Sequence, residues 1–192
     1  MVSGRVNLFL VFAIATLVVG FIAAVATMQQ IRGSNELINE PEPNTSTAIP
    51  APQSLSFAAM GDMLPHDSVV TQAITPTGYN FAPYFTNTRP FYKDSDMVFC
   101  NAETPVAGES HGITGYPSFN APKEFARDLS SAAGCNLVNM ATNHIYDKAQ
   151  AGIDSSRSSW EALGVAASGA NRDQAEQYSV SYVTKNGIKV AF

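Results

Sequence analysis

Three apolar runs in this chain each end in a tight polar cluster. Phe57-Ala58-Ala59-Met60 runs into Gly61-Asp62, Val98-Phe99-Cys100 into Asn101-Ala102-Glu103, and Val138-Asn139-Met140-Ala141 into Thr142-Asn143-His144. Short apolar runs of this kind read as buried strands. In an open α/β sheet the strands deliver their polar ends to one shared rim, where ligands bind. The pattern therefore points to an α/β layer architecture in which separate clusters become one site. Strands are expected over residues 55–60, 96–101, 136–141, 165–167, 178–183 and 188–192, the last two joined by a Lys185-Asn186-Gly187 hairpin turn. A helix opens at Pro122, runs through Phe125, Ala126 and Leu129 to Ala133, and stops at Gly134. A second helix is expected over 147–163, with Ile153, Trp160 and Leu163 as its inward stripe and Gly164 at its end. The aromatic stretch 81–92 holds a short helix before Pro90.

Residues 8–28 are apolar apart from Thr16 and Thr27, with Arg5 before them. Helical at 1.5 Å per residue, such a run crosses a hydrocarbon core of roughly 30 Å. It is longer than the roughly 7–15 residues of a secretory signal core, which favours a retained single-pass membrane anchor; the alternative is secretion after cleavage near Ala26, where Ala24-Val25-Ala26 offers a small-x-small site. Arg5 on one side and Glu36, Glu40 and Glu42 on the other place the domain on the extracytoplasmic side. Residues 29–54 carry Pro41, Pro43, Pro50 and Pro52 and almost no large apolar side chains, so they cannot bury enough surface to offset their ordering entropy and read as a disordered tether. The expected organisation is thus an anchor at 1–28, a linker at 29–54 and a folded domain at 55–192.

A net charge of −5, without clustered Lys and Arg, excludes a nucleic-acid backbone as partner. Cys100 and Cys135 have no CxxC spacing, and their apolar, strand-like surroundings favour buried free thiols over a disulfide.

At the rim, Asp62 and Glu103 supply hard anionic oxygens for divalent metal ions, Asn143 an amide oxygen, and His144 a nitrogen that either ligates or acts as an acid. Asp147 caps the following helix or holds His144 from behind. His66 follows Asp62 closely enough to serve the ligands or the substrate. His111, between Gly108 and Gly115, reads as an exposed loop histidine or as part of a loop over the substrate. The 116–120 stretch shapes the same rim or simply turns the chain, and Lys123 with Arg127, one helical turn apart, reads as a solvated face.

Taken in order, Gly61-Asp62-Met63-Leu64-Pro65-His66-Asp67, Tyr79-Asn80-Phe81-Ala82-Pro83, Asn101-Ala102-Glu103-Thr104-Pro105, Gly115-Tyr116-Pro117-Ser118-Phe119-Asn120-Ala121-Pro122 and Ala141-Thr142-Asn143-His144 followed by Asp147 form a specific series. It resembles the CapA family of bacterial capsule-synthesis and poly-gamma-glutamate biosynthesis proteins, whose domain is similar to the calcineurin-like metallophosphoesterases. The resemblance runs from about Leu55 to Phe192. It implies a metallophosphatase-like sandwich of two β-sheets flanked by helices, with a two-metal site at the strand ends. Asp62 would ligate metal from the first strand, Glu103 would stand where the superfamily has its bridging carboxylate, Asn143 would bind the second metal, and His144 would stabilise or protonate the departing oxygen. The implied cofactors are divalent metal ions. The implied partners are the membrane, an anionic polymer or phosphorylated carrier, and other membrane subunits of a capsule synthesis complex.

The resemblance thus implies a membrane-anchored, extracytoplasmic protein of capsule or poly-gamma-glutamate biosynthesis with a metal-dependent phosphoesterase-like hydrolase site. Two departures favour a different role, as a non-catalytic assembly or polymer-binding subunit. Leu64 stands two residues after Asp62, where the phosphoesterases carry a histidine, and no histidine follows His144. The chain ends at Phe192 inside an expected strand, so the resemblance also implies an amino-terminal piece of a longer domain, inactive at this length.

Overall fold

Each apolar run becomes a strand of one parallel sheet. The computed structural model describes Met28 and residues 52–192. The expected anchor, apart from Met28, and residues 29–51 of the expected linker lie outside the described residues. Among the described residues no helix is long and apolar enough to cross a membrane. β1 (Phe57–Asp62) leads into α1 (Asp67–Ala73), a small hairpin of β2 (Ile74–Thr75) and β3 (Gly78–Tyr79), 3-10 turns at Ala82–Phe85 and Arg89–Phe91, and β4 (Met97–Asn101). Next, α2 (Lys123–Asp128) runs on as a π turn, Leu129–Ala133, into β5 (Leu137–Asn139). The order closes with α3 (Ala149–Ala162), β6 (Ala166–Ser168), α4 (Gln174–Gln177) and the antiparallel pair β7 (Tyr182–Lys185) and β8 (Ile188–Ala191).

β1, β4, β5 and β6 lie side by side in that order, all parallel. Every crossover steps the same way across the sheet, and the right-handedness of such connections then puts all three on one face. On that face Met60, Val98, Cys100 and Val138 pack with Phe125, Leu129, Ile153 and the fully buried Trp160. Burying one Leu, Val or Phe side chain contributes about 1.5–3 kcal/mol, so this face carries most of the cohesion. Ser156 and Ser159 join the buried interface because both hydroxyls are matched: Ser156 Oγ accepts from the Val106 N–H (3.0 Å), and Ser159 Oγ donates to the Val106 carbonyl (3.1 Å).

The opposite face carries Phe57, Met97, Phe99 and Leu137. Phe57 remains 51% exposed, its ring 6.3 Å from that of Phe99. The β7–β8 hairpin is tied to the sheet at both ends. Ser168 Oγ donates to the Phe192 carbonyl (3.1 Å), while Asn186 Nδ2 donates to the Ser54 carbonyl (3.2 Å) and Asp96 Oδ1 (3.0 Å). Its turn is the expected one, because Asn186 (φ 51°) and Gly187 (φ 76°) adopt the left-handed pair that a two-residue hairpin turn needs.

The α/β class holds, and several details differ from expectation. Helix α3 starts at Ala149 instead of Asp147, whose carboxylate is engaged elsewhere. It ends at Ala162, so Leu163 falls beyond the inward stripe and is 37% exposed. Tyr178, expected in a strand, follows the short α4 and is exposed. The two cysteines are not free thiols: Cys100 and Cys135 form a disulfide with Cα atoms 5.8 Å apart. Cys100 looks toward the helices from β4. Cys135 enters β5 just after Gly134, whose left-handed φ of 83° stops the π turn. Burial is common to thiols and disulfides, so apolar surroundings alone do not separate them, whereas a Cα distance in this range permits the bond.

Candidate functional site

The register of the sheet builds a polar row across the carboxyl ends of all four strands. Asp62 pairs with Asn101, Asn101 with Asn139, and Asn139 with Ser168. Asp62 belongs to this row only because the ladder shifts between Met60 and Asp62. Side chains alternate faces along a strand, so a one-residue bulge at Gly61 turns the next side chain over.

Hydrogen bonds then orient the row. Asn139 Nδ2 donates to Asn101 Oδ1 (2.6 Å), which fixes the flip of the Asn101 amide. Asn101 Nδ2 in turn donates to both Asp62 Oδ1 (2.8 Å) and Glu103 Oε2 (2.7 Å). Two carboxylates therefore share one neutral donor. Among the described residues neither is paired with a lysine, arginine or histidine. The Glu103 carbonyl accepts from Thr142 Oγ1 (2.9 Å), which ties this pair to the turn carrying Asn143 and His144.

His144 Nδ1 lies 2.8 Å from Asp147 Oδ2, and both side chains are mostly buried. The same Asp147 oxygen accepts from the Phe119 N–H (2.7 Å), and the Asp147 carbonyl accepts from Ser118 Oγ (3.1 Å). An ionised carboxylate only accepts, so Nδ1 of His144 carries the proton and Nε2 is the nitrogen left for chemistry. Of its two expected roles, Asp147 takes the hold on His144; α3 begins after Lys148 without a side-chain cap. Phe119 packs T-shaped against His144 (4.6 Å between centroids) and against His66 (5.1 Å). The loop that presents Phe119 is stapled by buried Asn120, which accepts from the Ala107 N–H and donates to the carbonyls of Gly108 and Gly112.

The remaining expected residues are less closely joined. Asn143 is exposed in the same turn as His144, and among the described residues no hydrogen bond ties its side chain to Asp62 or Glu103. His66 precedes α1 without capping it. His111 lies on the Glu109–His111 3-10 turn, with no hydrogen bond to the rim row. Leu64 and Asp62 line a common small pocket. Lys123 and Arg127 are both exposed, as expected of a solvated face, and Arg127 is also paired there: Nη2 donates to the Tyr79 carbonyl (2.9 Å), Nε donates to Asp128 Oδ1 (2.8 Å), and that bond to Asp128 raises its pKa. A cavity of about 500 Å³, lined by Glu109, Lys123, Arg127 and Leu163, holds none of the rim groups, so volume alone misdirects.

Asn101 and Asn139 are parts of the rim to which the sequence reading gave no role, whereas Phe119 lies in the 116–120 stretch that was expected to shape the rim or turn the chain. Asn139 carried a signal, since an amide between Val138 and Met140 is a residue that strands disfavour.

A family model for the bacterial capsule synthesis protein PGA_cap matches residues 56–192. The chain belongs to that family. No curated protein matches it. The PGA_cap match runs from before β1 to the end of β8 and so includes Asp62, Asn101, Glu103, His144 and Asp147. At the rim of this PGA_cap domain two carboxylates offer hard anionic oxygens, the donor type that divalent cations take, with the one neutral amide of Asn101 between them. Among the described residues no three His, Cys, Asp or Glu side chains gather closely enough to hold a metal, and the amide oxygens of Asn101 and Asn139 already accept from Asn139 Nδ2 and the Ala141 N–H.

Proposed function

We propose that this PGA_cap domain works on the extracytoplasmic side of the membrane, in capsule or poly-gamma-glutamate biosynthesis, as a metal-dependent phosphoesterase-like hydrolase acting on a phosphorylated carrier or anionic polymer. The observation that carries the reading is the Asp62–Glu103 pair on one shared amide, with the His144–Asp147 pair on the neighbouring turn. The Cys100–Cys135 disulfide supports the extracytoplasmic side, because such bonds persist in oxidising compartments. The apolar run at 8–28 supports membrane attachment. In the same reading the domain is a metallophosphatase-like sandwich, with β7–β8 opening the layer opposite the helices.

Asp62, Glu103 and Asn143 would hold the divalent ions. Bound there, such ions supply Lewis acidity toward a phosphoryl oxygen and acidify water. The chain's own groups do the rest. Asn101 keeps both carboxylates turned to one point. Asp147 holds the His144 ring through Nδ1 and stabilises its imidazolium, so that Nε2, once it has taken a proton from water, can hand that proton to the departing oxygen. General acid catalysis of this kind contributes about 10²–10⁴-fold. Phe119 limits rotation of the imidazole and shields one part of it from water.

A second reading, a non-catalytic assembly or polymer-binding subunit, is favoured by one observation: the position where phosphoesterases carry a histidine is Leu64, an apolar pocket wall. Calorimetric titration with Mn²⁺, together with polymer production in cells, separates the two. The hydrolase reading expects Asp62→Ala to lose metal binding and polymer export. Normal metal binding and export by Asp62→Ala overturns the site assignment, and normal polymer production by His144→Ala favours the second reading.

A further inference from the structure

A pocket of about 180 Å³ opens beside Asp62. Met63 and Leu64 line it from the loop after β1, Val69 from α1, and Phe81 and Phe125 from the core. Asp62 is the one charged residue in its lining. The Phe81 and Phe125 rings are buried and pack T-shaped on each other at 5.0 Å, so this part of the wall is held by the core itself. A cavity of roughly 150 Å³ walled by aliphatic and aromatic side chains takes up a benzene ring, so the volume suits a phenyl-sized group. Asp62 belongs both to this pocket and to the carboxylate pair on Asn101. One ligand can therefore lay its polar head on the rim and an apolar substituent in the pocket.

We infer that the pocket is a specificity subsite, and that the ligand of the rim is an organic phosphoester bearing an apolar substituent of about phenyl size next to its anionic group. This rests on the reading of Asp62 and Glu103 as the seat of that group's divalent counter-ion. Met63, Leu64 and Val69 select the substituent by burying it; a ligand charged along its whole length leaves the pocket empty.

The test uses the full chain, labelled with ¹³C at Met, Leu and Val methyls, in buffer containing Mg²⁺. It is titrated separately with methyl phosphate, phenyl phosphate and benzyl alcohol. Phenyl phosphate is expected to shift the methyl signals of Met63, Leu64 and Val69 and to bind at least about tenfold more tightly than methyl phosphate. Benzyl alcohol is expected to shift the same signals at higher concentration. Leu64→Phe, which fills the pocket, and Leu64→Asn, which makes it polar, should each bring the ratio of the two phosphate affinities toward unity. Equal affinities in the parent chain, or phenyl phosphate binding that leaves those methyls unmoved, overturn the subsite while the rim reading stands. Benzyl alcohol binding with neither phosphate bound overturns the rim reading, and with it the claim that rim and pocket serve one ligand.

Discussion

Both ends of the parallel sheet hold carboxylates among amides, yet the two ends are built to opposite effect. At the amino end, Asp96 Oδ2 accepts from the Ser56 N–H (2.9 Å) and Ser56 Oγ (2.8 Å), and Oδ1 accepts from Asn186 Nδ2 (3.0 Å). Asn136 completes that end, accepting from the Val98 N–H (2.9 Å) and donating to the Asp96 carbonyl (3.3 Å). These donors, the Ser56 backbone first, hold the Asp96 carboxyl below its ordinary pKa. At the carboxyl end, Asp62 and Glu103 divide the two hydrogens of a single amide. The first carboxylate is saturated and fastens β1, β4 and the β7–β8 turn together. The second pair keeps acceptor capacity and mutual repulsion, which in the proposed hydrolase reading a cation relieves. Polar content is similar at both ends. The ratio of donors to acceptors is what separates a fastener from a site.

The sharpest break between the two ends is expected from His144→Ala. In the proposed hydrolase reading, phosphoester turnover by a full-length family domain should fall by about 10²–10⁴-fold while the urea midpoint stays near that of the parent chain. A midpoint that drops as far as it does for a core truncation would make His144 a structural residue and erase the contrast. Next in size is removal of the disulfide just below the rim. The Cys100→Ala, Cys135→Ala double variant opens a bridge with a sequence separation of 35 and should lose roughly 3–4 kcal/mol in urea unfolding; an unchanged midpoint would mean that the strands hold this end unaided.

Matched substitutions at the two ends should differ in sign. Asp62→Asn relieves repulsion at the rim, so the melting temperature should hold or rise while Mn²⁺ binding is lost. Asp96→Ala strands the donors of Ser56 and Asn186, so the melting temperature should fall. A fall of the same size in both variants would dissolve the distinction. The smallest effect is on pH dependence. The folded pKa of Asp96 lies below its unfolded value, so the stability it contributes is fully present above the ordinary carboxylate pKa and disappears as pH falls through the lower, folded one. Solvent exposure keeps that contribution modest. NMR titration of Asp96 should show the lowered midpoint, and Asp96→Asn should flatten the acid limb of the stability curve. A midpoint at or above the ordinary value would remove Asp96 as the saturated member of the comparison.

Much of the fold was legible because its signals are local. Apolar runs mark β1, β4 and β5, Pro122 and Gly134 bracket α2 and its π turn, and Asn186-Gly187 suits a two-residue turn through its left-handed backbone. Helix α1 was not legible. Val69, Val70 and Thr71 are β-branched and weak helix formers, and packing of Val69 and Ala73 against the core overrides that preference. The candidate site's charged members, Asp62, Glu103, His144 and Asp147, were nameable in the sequence because they stand in the polar clusters that follow apolar runs. The amides that organise them were not, since Asn101 and Asn139 acquire their roles from which strand lies beside which.

The sequence by itself determined that the apolar runs become strands, which polar residues follow them, and to which family the ordered motifs belong, because burial pattern and turn chemistry are properties of short segments. Only the tertiary structure decided that Cys100 meets Cys135, that the shift at Gly61 turns Asp62 into the row of Asn101 and Asn139, and that Asp147 holds His144 instead of capping α3. The physical reason is that register and donor supply belong to pairs of segments distant in the chain, and no single segment encodes them.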